Sequence, residues 1–316
     1  MGATFDRDLI YQVGQALAAE AKEKSCNILL GPTVCLQRSP LLGRGFEAFS
    51  EDPYLSGVIA SGYVDGVQKS GVGCSLKHYV AHDQSTDSTE DDVRASERTL
   101  REMHLLPFQI VVKNADPWSI MTAYNKVNGI HVPEHAWLLN HILREDWAWE
   151  GVTVSDWCGT YSCSEAINAG LDLEMPGPSR WRGDLLRWSV TSNKVQKRTL
   201  DKSVRRVLQL VKKAHPGTSL PAMVEVGDSA EKQELCQRVA AQSIVLLKND
   251  KEVLPLDQFS KCSYGLIGPA VHHPAISGGG SADLPPYHVS TPYEAFAHIV
   301  GKENITTAVG CRCKFV

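Results

Sequence analysis

The chain has 316 residues, 43% of them hydrophobic and 22% charged, a balance that fits a globular protein with a sizeable core and excludes disordered, collagen-like and coiled-coil classes. Its net charge is −4, from 32 basic and 36 acidic residues, without the basic excess of a polyanion binder, so nucleic acid is not an expected partner. No apolar run approaches the ~18 residues of a membrane span, and Met1 to Asp8 lacks the apolar centre of a signal peptide. As written the chain is therefore expected to be cytoplasmic, with no membrane partner, a secreted longer parent staying open.

In chain order, Leu9, Ile10, Val13, Leu17 and Ala21 fall at helical spacing between Asp8 and Lys24, and the segment Asn27 to Leu30 that follows reads as a buried strand. Asp52 before Pro53 is an N-cap followed by a proline suited to the first helical position, opening a helix through Ile59 and Val67 toward a strand from Gly73 to His78. A helix carrying Leu100, Met103, Leu106 and Ile110 precedes the strand Ser119 to Tyr124. Another, with Leu138, Leu139, Ile142 and Leu143, precedes Val152 to Ser155. A short helix from Ser164 to Ala169 leads into Leu171-Asp172-Leu173, and a longer one follows around Val204, Val207, Leu208 and Val211. Short apolar strands alternating with amphipathic helices predict a parallel sheet covered on its faces.

Two architectures fit that alternation, a doubly wound sheet and a (β/α)8 barrel. Lys77-His78, Tyr124 and Ser155-Asp156 each close a different predicted strand, and a barrel gathers such ends at one mouth. The expected fold is therefore α/β, a TIM-barrel-like domain over 1–215 whose first strand lies upstream of Met1. A linker over 216–229 follows, rich in proline and glycine. The start of an α/β sandwich domain occupies 230–316, with a helix from Glu231 to Ala241 and strands Ile244 to Leu247 and Tyr264 to Ile267. The nine cysteines form no C-x-x-C pair, and most read as small buried hydrophobes.

Four segments carry the chemistry: Gly43-Arg44-Gly45-Phe46-Glu47 running to Glu51-Asp52-Pro53, then Leu76-Lys77-His78-Tyr79-Val80-Ala81-His82-Asp83, then Met121-Thr122-Ala123-Tyr124-Asn125, and Val154-Ser155-Asp156-Trp157. In this order and spacing the chain resembles glycoside hydrolase family 3, and in particular its β-glucosidases, from about Asp6 to the end. The resemblance implies retaining hydrolysis of terminal non-reducing β-D-glucosyl residues in β-glucosides or oligosaccharides such as cellobiose, with no cofactor and no metal. It implies that Asp156 is the catalytic nucleophile, that Arg44, Lys77 and His78 bind hydroxyls of the sugar being cleaved, and that Tyr124 and Met121 lie beside the nucleophile. Trp157 offers an apolar wall for a sugar face.

Retaining hydrolysis needs a carboxylate at the anomeric carbon and a second, protonated carboxyl group ~5 Å away. That acid/base glutamate is expected beyond Val316, and a further substrate-binding aspartate upstream of Met1, so the chain by itself is expected to be a poor glycosidase. β-Xylosidase, α-arabinofuranosidase and β-N-acetylglucosaminidase are the alternatives within the family, and an inactive sugar-binding remnant is the alternative outside catalysis. Each residue also has a plainer use: Asp156 as a helix N-cap, Arg44 as a surface partner of Glu47 or Glu51, Lys77-His78 as a solvated strand end, and Trp157 as core. His131-Val132-Pro133-Glu134-His135 spells a metal-hydrolase pattern, but Pro133 interrupts the continuous helix that such a site needs. Ser277 to Ser281 is glycine-rich yet lacks the lysine of a phosphate loop.

Overall fold

The computed structural model describes residues 1–215, 228–256 and 262–311, so most of the expected 216–229 linker lies outside the described residues. Two compact units emerge, Met1–Ile244 and Val245–Val316.

In the first unit the strands Ile28–Leu29, Gly73–Tyr79, Ser119–Thr122 and Val152–Ser155 pair in that order, every neighbour parallel. A further parallel bridge joins Val154 to Leu173. Helices alternate with them as the periodicity predicts, giving the α/β, TIM-barrel-like arrangement expected from sequence. The helix Arg7–Glu23 is capped by Asp6, and Pro53–Lys69 by Asp52, whose carboxylate accepts from the amides of Tyr54 and Leu55. These two helices approach so closely that a Cβ at Gly14 would lie 2.5 Å from the Tyr63 carbonyl oxygen. The helix expected around Leu100 to Ile110 is split. A π-helical turn over Leu100–His104 gives way to an α-helix over Leu106–Ala115, and Pro107 there has no amide to continue the i→i−4 pattern. The core joins helix residues such as Ile59, Phe108 and Leu139 to strand residues such as Leu76 and Ile120.

Three local expectations are corrected. Ile244 to Leu247 is not a strand: all four side chains are exposed, and a strand needs a neighbour to take its amides and carbonyls. Most described cysteines are not buried; Cys35 and Cys74 are, whereas Cys26, Cys158, Cys236, Cys262 and Cys311 are exposed. Their positions on turns and outer helix faces, which spacing alone does not reveal, decide this. The helix Ala230–Gln242, expected to open the second domain, belongs to the first unit, where Lys232 Nζ lies 3.3 Å from a Glu20 carboxylate oxygen.

The second unit contains a parallel pair, Tyr264–Ile267 with Ile305–Ala308, and a helix Pro292–Val300 started by a capping box between Thr291 and Glu294. Among the described residues no helix is long and apolar enough to cross a membrane.

Candidate active site

Asp156 directly follows the Val152–Ser155 strand, Lys77 and His78 end the Gly73–Tyr79 strand, and Tyr124 stands two residues past Thr122. Parallel pairing in register, Thr122 opposite Ser155 and Tyr79 opposite Thr122, brings these ends to one side of the sheet. The segment around Thr33 runs parallel to Lys77 through a bridge, and Arg44 precedes a 3-10 turn over Gly45–Glu47.

Asp156 is 7% exposed, and its two carboxylate oxygens differ. Oδ1 accepts from the Tyr124 hydroxyl at 2.9 Å and from the Trp157 amide at 2.7 Å. Oδ2 lies 3.5 Å from His78 Nε2 and accepts no hydrogen bond among the described residues. One oxygen fixes the group's orientation while the other keeps its lone pairs open, which is what a nucleophile requires. The N-cap reading of Asp156 falls away, because the next helix begins only at Ser164.

The surroundings set the protonation states. Burial, reinforced by His82, Lys77 and Arg44, holds the His78 imidazole well below the usual histidine range, so it is neutral at pH 7. His82 is lowered in the same way, by burial and then by Arg44, and its ring stands edge-on to His78 with centroids 5.1 Å apart. Burial and the Asp156 charge push the Tyr124 phenol upward, keeping it a proton donor. Its single hydroxyl proton serves both Asp156 Oδ1 and the Trp157 carbonyl oxygen, each 2.9 Å away. The Tyr161 hydroxyl, its pKa pushed up to about 12 chiefly by burial, donates to the Tyr124 carbonyl at 3.1 Å. Cys35 sits behind His78, donating to its carbonyl at 3.2 Å, and burial pushes its thiol up to about 12, which makes it a poor competing nucleophile.

Of the residues singled out from sequence, Asp156, His78 and Tyr124 meet directly. Arg44 and Lys77 meet each other through Glu47, Arg44 Nε and Nη2 donating to the two Glu47 oxygens at 2.7 and 2.9 Å and Lys77 Nζ lying 3.8 Å from Oε2, and both feel the charge of Asp156. The plain reading of Arg44 as a partner of Glu47 thus holds for the pairing but not for the place, since the Glu47 side chain is only 13% exposed. His78 is 2% exposed and is no solvated strand end, while Trp157 is 43% exposed and is no core residue. Among the described residues Met121 makes no polar side-chain contact with these groups; it is 2% exposed and packs with Val152, Val154 and Leu210, in register with Val154 two residues before Asp156.

Sequence reasoning passed over three carboxylates. Glu47 was visible only as an acid three residues after Arg44. Asp172 accepts from the Thr153 amide and from Arg144, tying down the strand that carries Asp156. Glu174 accepts from the amides of Arg180 and Trp181 and shapes the loop after Met175. A cavity of about 730 Å³ lined by Trp118, Trp147 and Trp149 lies at the opposite ends of the same strands, away from these groups, and its position makes it no candidate for the chemistry.

Residues 1–210 match the glycosyl hydrolase family 3 N-terminal domain and residues 244–311 its C-terminal domain. The chain is 49% identical over 312 residues to a probable beta-glucosidase J of Emericella nidulans, an alignment covering 98% of this chain and 36% of that protein. It is similar to the crystal structure of a Kluyveromyces marxianus beta-glucosidase in complex with glucose, with a TM-score of 0.91, 42% identity, and coverage of 98% of this chain and 37% of the other. Beta-glucosidase 3B of Thermotoga neapolitana in complex with glucose superposes with a TM-score of 0.86 at 34% identity, over 97% of this chain and 43% of that one. The chain thus spans little more than a third of the length of the curated relatives it matches.

Proposed function

The chain belongs to glycoside hydrolase family 3, and from that premise we propose that it carries the nucleophile and sugar-binding half of a retaining β-glucosidase. The observation that supports this best is the asymmetry of Asp156, with Oδ1 engaged by Tyr124 and the Trp157 amide and Oδ2 open beside His78. Asp156 Oδ2 forms a bond to the anomeric carbon of a terminal β-D-glucosyl unit as the bond to the aglycone oxygen breaks, and that oxygen takes a proton from a general acid. Water then gives a proton to the same group while its oxygen displaces Asp156, releasing glucose as the β-anomer. We place the acid/base glutamate downstream of Val316. Arg44, Lys77 and His78 hold the sugar hydroxyls, neutral His78 without adding charge, and Trp157 flanks the sugar ring.

The protein at its full encoded length is expected to hydrolyse a 4-nitrophenyl β-D-glucoside, with β-glucose appearing before α-glucose in a proton NMR time course. Release of α-glucose first would contradict the double displacement. Faster turnover of the xyloside or arabinofuranoside would move the assignment within the family, and absence of hydrolysis would leave a sugar-binding remnant.

Lys77 makes no side-chain hydrogen bond among the described residues; only its charge is engaged, by Glu47. Its donors are therefore available to a sugar whose hydroxyls gain acidity as the ring becomes cationic. Lys77→Ala is expected to lower kcat by about 100-fold while weakening glucose binding by less than about tenfold. An unchanged kcat with only a raised KM would make Lys77 a uniform binding group.

A further inference from the structure

Among the described residues, Glu47 is the one acid in contact with both cations of the sugar site. Its Oε1 accepts from Arg44 Nε at 2.7 Å, and its Oε2 accepts from Arg44 Nη2 at 2.9 Å and from the Thr33 hydroxyl at 3.1 Å, with Lys77 Nζ 3.8 Å away. Exposed ion pairs contribute little, but this one is bidentate and mostly enclosed, the geometry in which a carboxylate fixes a guanidinium in plane. Among the described residues two donor positions of Arg44 are used and the rest stay open, and Lys77 is held by charge alone. Both cations are thereby oriented without being consumed.

We propose that Glu47 is a positioning residue: its carboxylate holds Arg44 and Lys77 as one preset fork facing Asp156, so that their remaining donors meet the sugar without rearranging as the transition state forms. The inference rests on the sugar-binding role proposed above for those two cations. Removing Glu47 leaves two positive side chains with no acid between them, free to swing apart or toward Asp156. Electrostatics point the same way. Burial pulls the Lys77 ammonium below the usual lysine range and the Glu47 charge opposes that pull. The Glu47 carboxyl is itself held below its usual range by Arg44 and Lys77, against its own burial. Thr33 reaches the cluster because the segment containing it is paired with Lys77, the Val34 amide donating to the Lys77 carbonyl at 2.8 Å. The fork is therefore assembled across two strand ends and the turn at Gly45–Glu47, and not within one element.

The test follows the rate at which 2,4-dinitrophenyl 2-deoxy-2-fluoro-β-D-glucoside adds a sugar to the full-length protein, read by intact mass. This leaving group needs no acid, so the rate reports the nucleophile and the sugar contacts alone. Glu47→Gln is expected to slow labelling by about 100-fold, the scale of a misplacement of about 1 Å. Combined with Lys77→Ala, it is expected to add little to the slower single variant, because the two act through one arrangement. Labelling of Glu47→Gln at the unmodified rate would overturn the proposal, and so would losses that multiply in the double variant. If thermal melting shows Glu47→Gln unfolded, Thr33→Val serves, since it keeps every charge and removes one hydrogen bond to Oε2. A slowing that is likewise not multiplied by Lys77→Ala supports the proposal, and an unmodified rate refutes it. Failure of the unmodified protein to be labelled would instead strike the reading of Asp156, and the fork with it.

Discussion

Replacing Asp156 by asparagine is expected to lower kcat on the order of 10⁴-fold or more, the scale on which loss of a nucleophile is felt, while the fold is retained. The substitution preserves shape. An amide oxygen in the Oδ1 position still accepts from the Tyr124 hydroxyl and the Trp157 amide, which lie 2.9 and 2.7 Å away. The new NH2 group takes the place of Oδ2, 3.5 Å from His78 Nε2, where a neutral imidazole nitrogen can accept from it. Packing therefore changes little, and the melting temperature is expected to stay within a few degrees. Chemistry changes completely, since an amide nitrogen has no lone pair available for attack. Steady-state kinetics on the aryl glucoside together with thermal melting check both halves. A loss of less than tenfold would remove Asp156 from the nucleophile role.

The opposite signature is expected at Asp172. Its side chain is 2% exposed and accepts at Oδ2 from the Thr153 amide, the Thr153 hydroxyl and Arg144 Nη2, each at 3.1 Å, while Oδ1 takes Arg206 Nη1 at 3.4 Å. Arg144 is itself enclosed. It donates from Nη1 to the carbonyls of Trp149 and Gly151 and lies over the Trp149 ring, and burial, against the pull of Asp172, lowers its guanidinium to about 10. Asp172→Ala removes the buried acid shared by Arg144 and Arg206, leaving Arg206 only the exposed Glu150 at 3.8 Å, and leaves a Thr153 amide without its partner. Breaking one side of a buried ion pair costs about 3–5 kcal/mol. For a unit of this size that is a fall in Tm on the order of 10 °C. Because Thr153 lies in the strand that presents Asp156, activity is expected to vanish with the fold and not before it. A melting temperature within about 2 °C of the unmodified protein would refute this account of the cluster.

The fold was legible where one local rule acts alone. Val152–Ser155 is a short stretch rich in β-branched residues, and Asp52-Pro53 combines a cap with a proline suited to a helix start; both stand where the sequence places them. The polar strand ends Lys77-His78, Tyr124 and Asp156 were legible as a group because a barrel-like sheet sends such ends to one side. What depends on a second segment was not. Glu47 looked like a surface partner of Arg44, since three-residue spacing says nothing of Lys77 arriving from another strand. Met121 is enclosed with Val152 and Val154, packing that depends on a neighbouring strand and that nearness in sequence to Tyr124 does not reveal. Ile244 to Leu247 has strand composition without a pairing neighbour among the described residues, and composition does not supply one.

Which atom becomes bonded to the sugar decides whether Asp156 is the nucleophile. Brief treatment of the full-length protein with 2,4-dinitrophenyl 2-deoxy-2-fluoro-β-D-glucoside, proteolysis and sequencing of the labelled peptide by mass spectrometry reads this directly. The adduct is expected on Asp156, in the peptide containing Val154-Ser155-Asp156-Trp157, and absent from Asp156→Asn. An adduct on Glu47, Asp172 or any other carboxylate, or undiminished labelling of the Asn variant, would contradict it.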